Sequence, residues 1–137
     1  MEVIVDTDAL LALFNVNDSH HEKARQLATG LLKKRIDSII IPTTLAEFAL
    51  LASSRIGVKE SQKAVGFLTE SNPIPEVTKE ITSNAVLRYI KQTSKEESLF
   101  DCFNMSVAEK LGIEYIFSFD KGYTKKSNGF RLASELV

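Results

Sequence analysis

The sequence holds a single cysteine, Cys102, so no disulfide can form within the chain, and a lone thiol suits a reducing cytoplasm. No apolar run approaches the roughly 18 residues of a membrane span. The N-terminus lacks the basic start and small-residue cleavage site of a signal peptide, and Asp6 and Asp8 interrupt its apolar stretch. The expectation is therefore a cytoplasmic protein without membrane attachment. Neither sign of charge is in excess: 17 basic residues face 18 acidic ones, a formal net charge of −1. That balance excludes binding of nucleic acid by bulk charge and leaves room for a local basic patch. There is no G-x-G-x-x-G and no G-x-x-x-x-G-K-[ST], which removes the usual phosphate cradles. Repeats, low-complexity runs and linkers are absent too. What is left, 137 residues at 44% hydrophobic and 26% charged, suffices for one domain over 1–137 with a real core.

Strand patterns alternate with helical ones. Val3-Ile4-Val5 reads as a strand buried on both faces, and a helical run, Ala9 to Phe14, follows at once. Ser19-His20-His21-Glu22 has the form of a capping box. It opens a helix with Ala24, Leu27, Ala28, Leu31 and Leu32 on one face and Lys33-Lys34-Arg35 at its end. His20 and His21 are adjacent, so they cannot face the same way, and they read as surface residues of a helix start. Ser38 to Ile41 is a second buried strand closed by Pro42, and Thr44 with Glu47 reads as the capping box of a helix from Leu45 to about Arg55. A moderately amphipathic helix runs from Val58 to about Glu70, and Ile74 to Val77 is a short strand or link weakened by Pro75. Thr78 caps a helix to about Gln92, and Thr93 to Ser98 is a polar surface turn. Leu99 to Leu111 is a helix ended by Gly112, Glu114 to Phe119 is a strand ending at Asp120, and Phe130 to Leu132 is a candidate edge strand. This alternation predicts an α/β fold, three layers α/β/α around a mostly parallel sheet.

Four carboxylates recur at one kind of place. Asp6, Glu47, Asp101 and Asp120 each lie at a strand end or in the first turn of a helix. Right-handed crossovers bring such positions to the same edge of a parallel sheet, where ligands of α/β proteins bind. Each has a structural role open to it alone: a helix cap, or an acid at the positive end of a helix dipole. Together they would repel one another and take up protons unless a cation neutralised them. All-oxygen ligation suits Mg²⁺ or Mn²⁺. Such ions activate water and stabilise the charge that builds on a phosphodiester during in-line attack. Asp8 is expected to serve mainly as the cap of the first helix, turned away from Asp6.

The motifs that carry these acids resemble those of the PIN domain, of the small stand-alone kind seen in VapC-type toxins. They are Val5-Asp6-Thr7-Asp8-Ala9-Leu10-Leu11, Leu45-Ala46-Glu47-Phe48, Phe100-Asp101-Cys102 and Ile116-Phe117-Ser118-Phe119-Asp120-Lys121-Gly122-Tyr123; Asp18-Ser19-His20-His21 fits the same family's second helix. The resemblance spans nearly the whole chain in order. It implies a divalent-metal ribonuclease with Asp6, Glu47, Asp101 and Asp120 as the acidic set and with Thr7 and Ser118 supporting it. It also implies an RNA substrate, a small antitoxin partner laid across the groove, and a homodimer. Setting the four acids aside leaves 14 against 17 basic residues. Lys121, Lys125, Lys126 and Arg131 cluster near the last acid, either as a solvated surface or as contacts that position RNA phosphates without reading sequence.

Three other readings compete. The same domain could be a housekeeping RNA-processing nuclease. It could be a non-catalytic RNA-binding module, which would have no need of a full acidic set. Finally, Asp6-Thr7-Asp8 after a buried strand resembles the first motif of haloacid-dehalogenase-type phosphatases, with Asp6 as nucleophile. Leu10 and the lack of a later Gly-Asp-x-x-x-Asp depart from that pattern.

Overall fold

The structure is a computed structural model that describes residues 1–93 and 97–137. The turn expected over Thr93 to Ser98 falls largely on residues 94–96, which lie outside the described residues. In chain order the elements are β1 (Glu2–Val5), α1 (Thr7–Phe14), α2 (His21–Lys33), β2 (Asp37–Ile39), α3 (Pro42–Arg55), α4 (Val58–Ser71), α5 (Lys79–Lys91), α6 (Leu99–Leu111), β3 (Tyr115–Phe117) and β4 (Arg131–Leu132). Short 3-10 turns occupy Lys121–Thr124 and Ala133–Leu136.

The four strands form one parallel sheet in the order β2-β1-β3-β4. Because side chains alternate along a strand, the sheet feeds two cores. Val3, Val5 and Phe117, with Ile40 just past β2, pack against Leu10, Leu31, Phe48 and Leu68 of α1 to α4. Ile4, Ile39 and Ile116 face the other way, onto Ile81 and Ala85 of α5 and Cys102 and Met105 of α6. These are the three expected layers, with helices covering both faces as a parallel sheet requires. Val5 lies in register with Phe117, so the residues that follow them, Asp6 and Ser118, leave the sheet side by side.

The helix ends follow the sequence in some places and depart from it in others. Thr78 caps α5, accepting the Ile81 N–H at 3.2 Å. Gly112, with φ +70, ends α6 in the left-handed region that favours glycine. The proposed capping box at Ser19 and Glu22 does not form: α2 starts after His20, whose N–H is held by Asp18 Oδ1 at 2.8 Å. Nor do Thr44 and Glu47 cap α3. That helix starts at Pro42, whose fixed φ and missing N–H suit a first helical position, and this frees both side chains for other work. Ile74 to Val77 is an extended link, tied to the sheet where Ile40 N–H meets Pro73 O at 3.2 Å.

Phe48 is fully buried on α3 and meets Phe14 of α1 with ring centroids 5.6 Å apart. Removing a packed aromatic leaves a cavity the surroundings fill only in part, so Phe48→Ala should cost about 3–5 kcal/mol. Leu50 on the same helix is 71% exposed, and Leu50→Ala should stay within about 0.5 kcal/mol of the parent. Urea midpoints of the two variants check the assignment.

Candidate active site

Asp6 stands where β1 becomes α1. Its N–H continues the sheet to Phe117 O at 3.0 Å, and its side chain caps the helix, accepting Thr7 N–H at 2.8 Å. The side chain is buried and meets four donors. Oδ1 takes Thr7 N–H and Asn104 Nδ2 at 3.0 Å; Oδ2 takes Ser118 Oγ at 3.1 Å and the Tyr123 hydroxyl at 2.9 Å.

Those donors are shared. The Tyr123 hydroxyl also lies 3.1 Å from Asp101 Oδ1, and the Ser118 hydroxyl 3.0 Å from Asp8 Oδ2. A hydroxyl carries one proton, so two protons serve three carboxylate oxygens, Asp6 Oδ2, Asp8 Oδ2 and Asp101 Oδ1. Asn104 fixes the arrangement from behind. Its amide donates to Asp6 and, at 3.0 Å, to the Tyr123 oxygen, while its carbonyl accepts the Thr44 hydroxyl at 2.9 Å. Thr44 of α3, Asn104 of α6 and Asp6 beside β1 are thus one buried chain of hydrogen bonds.

The remaining acids sit around this chain. Glu47, one turn beyond Thr44, accepts a short hydrogen bond from the Thr7 hydroxyl. Asp101 closes a capping box with Ser98, accepting its N–H at 2.9 Å through Oδ2 and leaving Oδ1 to Tyr123. Asp120 caps the 3-10 turn at Lys121, accepting Gly122 N–H at 2.8 Å. All four expected acids, with Thr7, line one open groove of about 320 Å³ at the carboxyl end of the sheet, and Ser118 is bonded to two of its walls. Asp8 corrects the expectation made for it. Asp6 is the cap, and Asp8 turns inward, accepting Phe119 N–H at 2.8 Å and facing Ser118. Its other oxygen, Oδ1, is buried with no hydrogen-bond partner among the described residues.

Of the four expected cations, Lys121 is exposed directly after Asp120, and Lys126 is exposed as well. Lys125 lies 3.6 Å from Glu97. Arg131 is elsewhere: it is in register with Tyr115, at the start of β3, and pairs with Glu135 at 2.9 Å and Glu114 at 3.5 Å. Arg55, at the end of α3, lines the groove in its place, as does His20. Asn104 and the hydroxyl of Tyr123 were also not singled out from the sequence. A signal for Asn104 exists, since it stands three residues after Asp101 on one helix face amid apolar neighbours. A second cavity, about 420 Å³ between α1, α2 and α4, has mostly apolar walls such as Leu10, Phe14 and Phe67, with Asp37 the one acid among its described lining residues.

The electrostatics follow from the burial. Asp6 is pushed up to about 7, by loss of water first and then by the charges of Asp8 and Asp101. Asp8 and Glu47 are raised as well, again chiefly by burial, against hydrogen bonds from Phe119 and Thr7 that favour their charged forms. The Tyr123 hydroxyl is driven far above its ordinary value by burial and by Asp6, so it remains a proton donor. A crowded set of oxygen ligands with too few donors and one orphaned carboxylate oxygen fits a hard divalent cation. Among the described residues no three acids already converge as a ready cation cage; the fit rests on the donor chemistry and on Asp8 Oδ1.

A family model for the PIN domain matches residues 3–128. The chain belongs to the PIN domain family. This assignment displaces the phosphatase reading of Asp6 and Asp8. No curated protein matches the chain. Solved structures share its fold at low identity. VapC20 of Mycobacterium tuberculosis, described as a sarcin–ricin loop cleaving toxin, superposes with a TM-score of 0.82 at 22% identity, over 94% of this chain and 96% of that one. VapBC-1 of nontypeable Haemophilus influenzae gives 0.71 at 13% identity, over 96% of each chain. VapBC2 of Rickettsia felis, solved on a promoter DNA fragment, gives 0.70 at 15%, over 96% and 97%. This PIN domain has no helix, among the described residues, long and apolar enough to cross a membrane.

The shift at Asp6 has a sign that can be measured. Its carboxyl releases its proton near 7 in the fold and near 3.8 when exposed, so in that window the folded state holds more protons than the unfolded one. Stability in EDTA should therefore be fullest below about pH 4 for this group and fall as pH rises toward 7. Asp6→Asn should flatten much of that slope. Urea midpoints across the window check this; a parental stability that rises over it would contradict the buried, crowded carboxylate.

Proposed function

We propose that the chain is a divalent-cation-dependent endoribonuclease and the toxin of a toxin–antitoxin pair. The observation that carries the reading is the gathering of Asp6, Glu47, Asp101 and Asp120 on one open groove, with more carboxylate oxygens than protons to satisfy them. Membership of the PIN family and the shared fold of VapC proteins support it.

In this mechanism Asp6, Asp101, Asp120 and Glu47 would hold Mg²⁺ or Mn²⁺. Such a cation would supply an activated water and neutralise charge on the phosphodiester during in-line attack. The rest is done by the chain itself. Thr7 orients Glu47, and Tyr123 and Asn104 hold Asp6 and Asp101 so that the acids do not swing apart. Ser118 sits between Asp6 and Asp8 and can donate its one hydrogen bond to either. Asp6, at about 7 without a cation, exchanges a proton near neutral pH. Arg55 on the groove wall and Lys121, with Lys126 and Lys125 further along, attract the RNA phosphates. An antitoxin segment lying over the groove would block all of these groups at once, and a homodimer would present two such grooves.

Purified protein should cut RNA with Mg²⁺ or Mn²⁺ and stop in EDTA. Asp101→Asn and Asp120→Asn should remain folded, with stability in EDTA unchanged or raised, and lose cleavage by orders of magnitude. Equal cleavage with and without chelator would sink the cation mechanism. In this light Asp8→Asn should also reduce activity, because Asp8 shares the Ser118 proton with Asp6 rather than standing outside as a cap.

The toxin half is tested in cells. Expression of the chain alone should arrest growth, and Asp6→Ala should relieve the arrest. Harmless high expression of a protein shown to cut RNA would favour a housekeeping nuclease.

A further inference from the structure

His20 stands at the start of α2 with its ring stacked on Phe119, centroids 4.4 Å apart and planes 9° from parallel. Phe119 in turn meets Phe117 edge-on, at 6.4 Å and 73°, and Phe117, the last residue of β3, is fully buried. Three rings therefore form a ladder from the core to the lip of the acidic groove, which His20 lines. Both upper rungs are fixed by the backbone. Asp18 Oδ1 accepts His20 N–H at 2.8 Å and lies 3.9 Å from the ring nitrogen Nδ1. The Phe119 N–H is bound to Asp8 Oδ2 at 2.8 Å.

The His20 side chain is nevertheless 53% exposed. With one face of the ring against Phe119, that exposure belongs to the opposite face and its edge. A flat ring backed by Phe119, with its opposite face uncovered among the described residues beside a groove suited to a phosphodiester, matches what a splayed-out base needs. Proteins that read single-stranded RNA stack unpaired bases on aromatic or histidine rings, whereas bases within a duplex already have both faces covered. Its sequence neighbour His21 is not available for the task, because its Nδ1 is engaged with Ala12 O at 2.7 Å.

We propose that His20, backed by Phe119, is a stacking platform for an unpaired nucleobase next to the phosphodiester to be cut. This rests on the nuclease reading and adds a contact to the base beside the phosphate contacts. The platform works through the flat face and not through charge.

Short RNAs with 2-aminopurine at successive positions, whose fluorescence is quenched by stacking, test it. They are titrated with the full chain in EDTA and in Ca²⁺, with the RNA checked for intactness afterwards. The parent should quench the probe at one position. His20→Ala should abolish that quench and weaken binding about tenfold, with an unchanged melting temperature, and His20→Phe should retain both. Unaltered quench and affinity in His20→Ala would overturn the platform while leaving the nuclease reading intact. So would a His20→Phe as weak as His20→Ala, or a parent that binds duplex RNA as well as single strands. A parent that binds no RNA at all would overturn both together.

Discussion

The constraint on which this structure turns is a shortage of protons around a buried carboxylate. Asp6 is anchored to the sheet by its own N–H and to α1 by its cap, so it cannot leave for water. Once it is fixed, its neighbours are fixed by it. Ser118 must sit where it can face two acids, Tyr123 must bring its hydroxyl in from the 3-10 turn, and Asn104 must reach across from α6. Isolated, such a site would be costly, since buried polar groups destabilise unless every lone pair finds a partner. Here the crowding is offset partly by the four donors to Asp6 and partly by the proton it retains up to about 7. A cation would take over that proton's role.

The two cores give the site its stiffness. One lies on the α1–α4 side of the sheet and the other on the α5–α6 side, and a sheet of four short strands separates them. Thr44 and Asn104 join the two sides beyond the end of the strands, where there is no sheet to do it. Phe48, on the same helix as Thr44, is packed into the first core, and Met105, next to Asn104, into the second. The polar chain between them is therefore held from both directions by close-packed apolar groups, whose positions are far less adjustable than those of surface side chains.

Much of this was legible in the sequence because it rests on local patterns. β-branched runs gave the strands, 3.6-residue periodicity the helices, and acids at strand ends the groove. Caps were read less well. Ser19 with Glu22 and Thr44 with Glu47 have the right spacing for capping boxes, yet Asp18 and Pro42 set those helix starts instead. Spacing alone does not say which of several adjacent candidates wins, because that depends on where the preceding strand or turn releases the chain. Asp8 departs from expectation for the same reason: the helix begins at Thr7, two residues earlier than a cap at Asp8 would set it. Asn104 and the Tyr123 hydroxyl were hidden by distance, since their partner Asp6 lies 98 and 117 residues away. Arg131 was placed near the last acid by sequence proximity, whereas β4 carries it back to the start of β3.

That distance has a meaning for the chain as it is made. Asp6 and Glu47 emerge early, along with the helices that surround them. Ser118 and Tyr123, which bind Asp6, are added 112 and 117 residues after it, and β3, the neighbour of β1 on its second side, arrives with them. A nascent chain short of Ser118 has Asp6, Glu47 and Asp101 but neither hydroxyl to hold them, and the central strand has one open edge. The groove is thus a late product of synthesis. The acids of the groove would be translated before the groups that hold them in place.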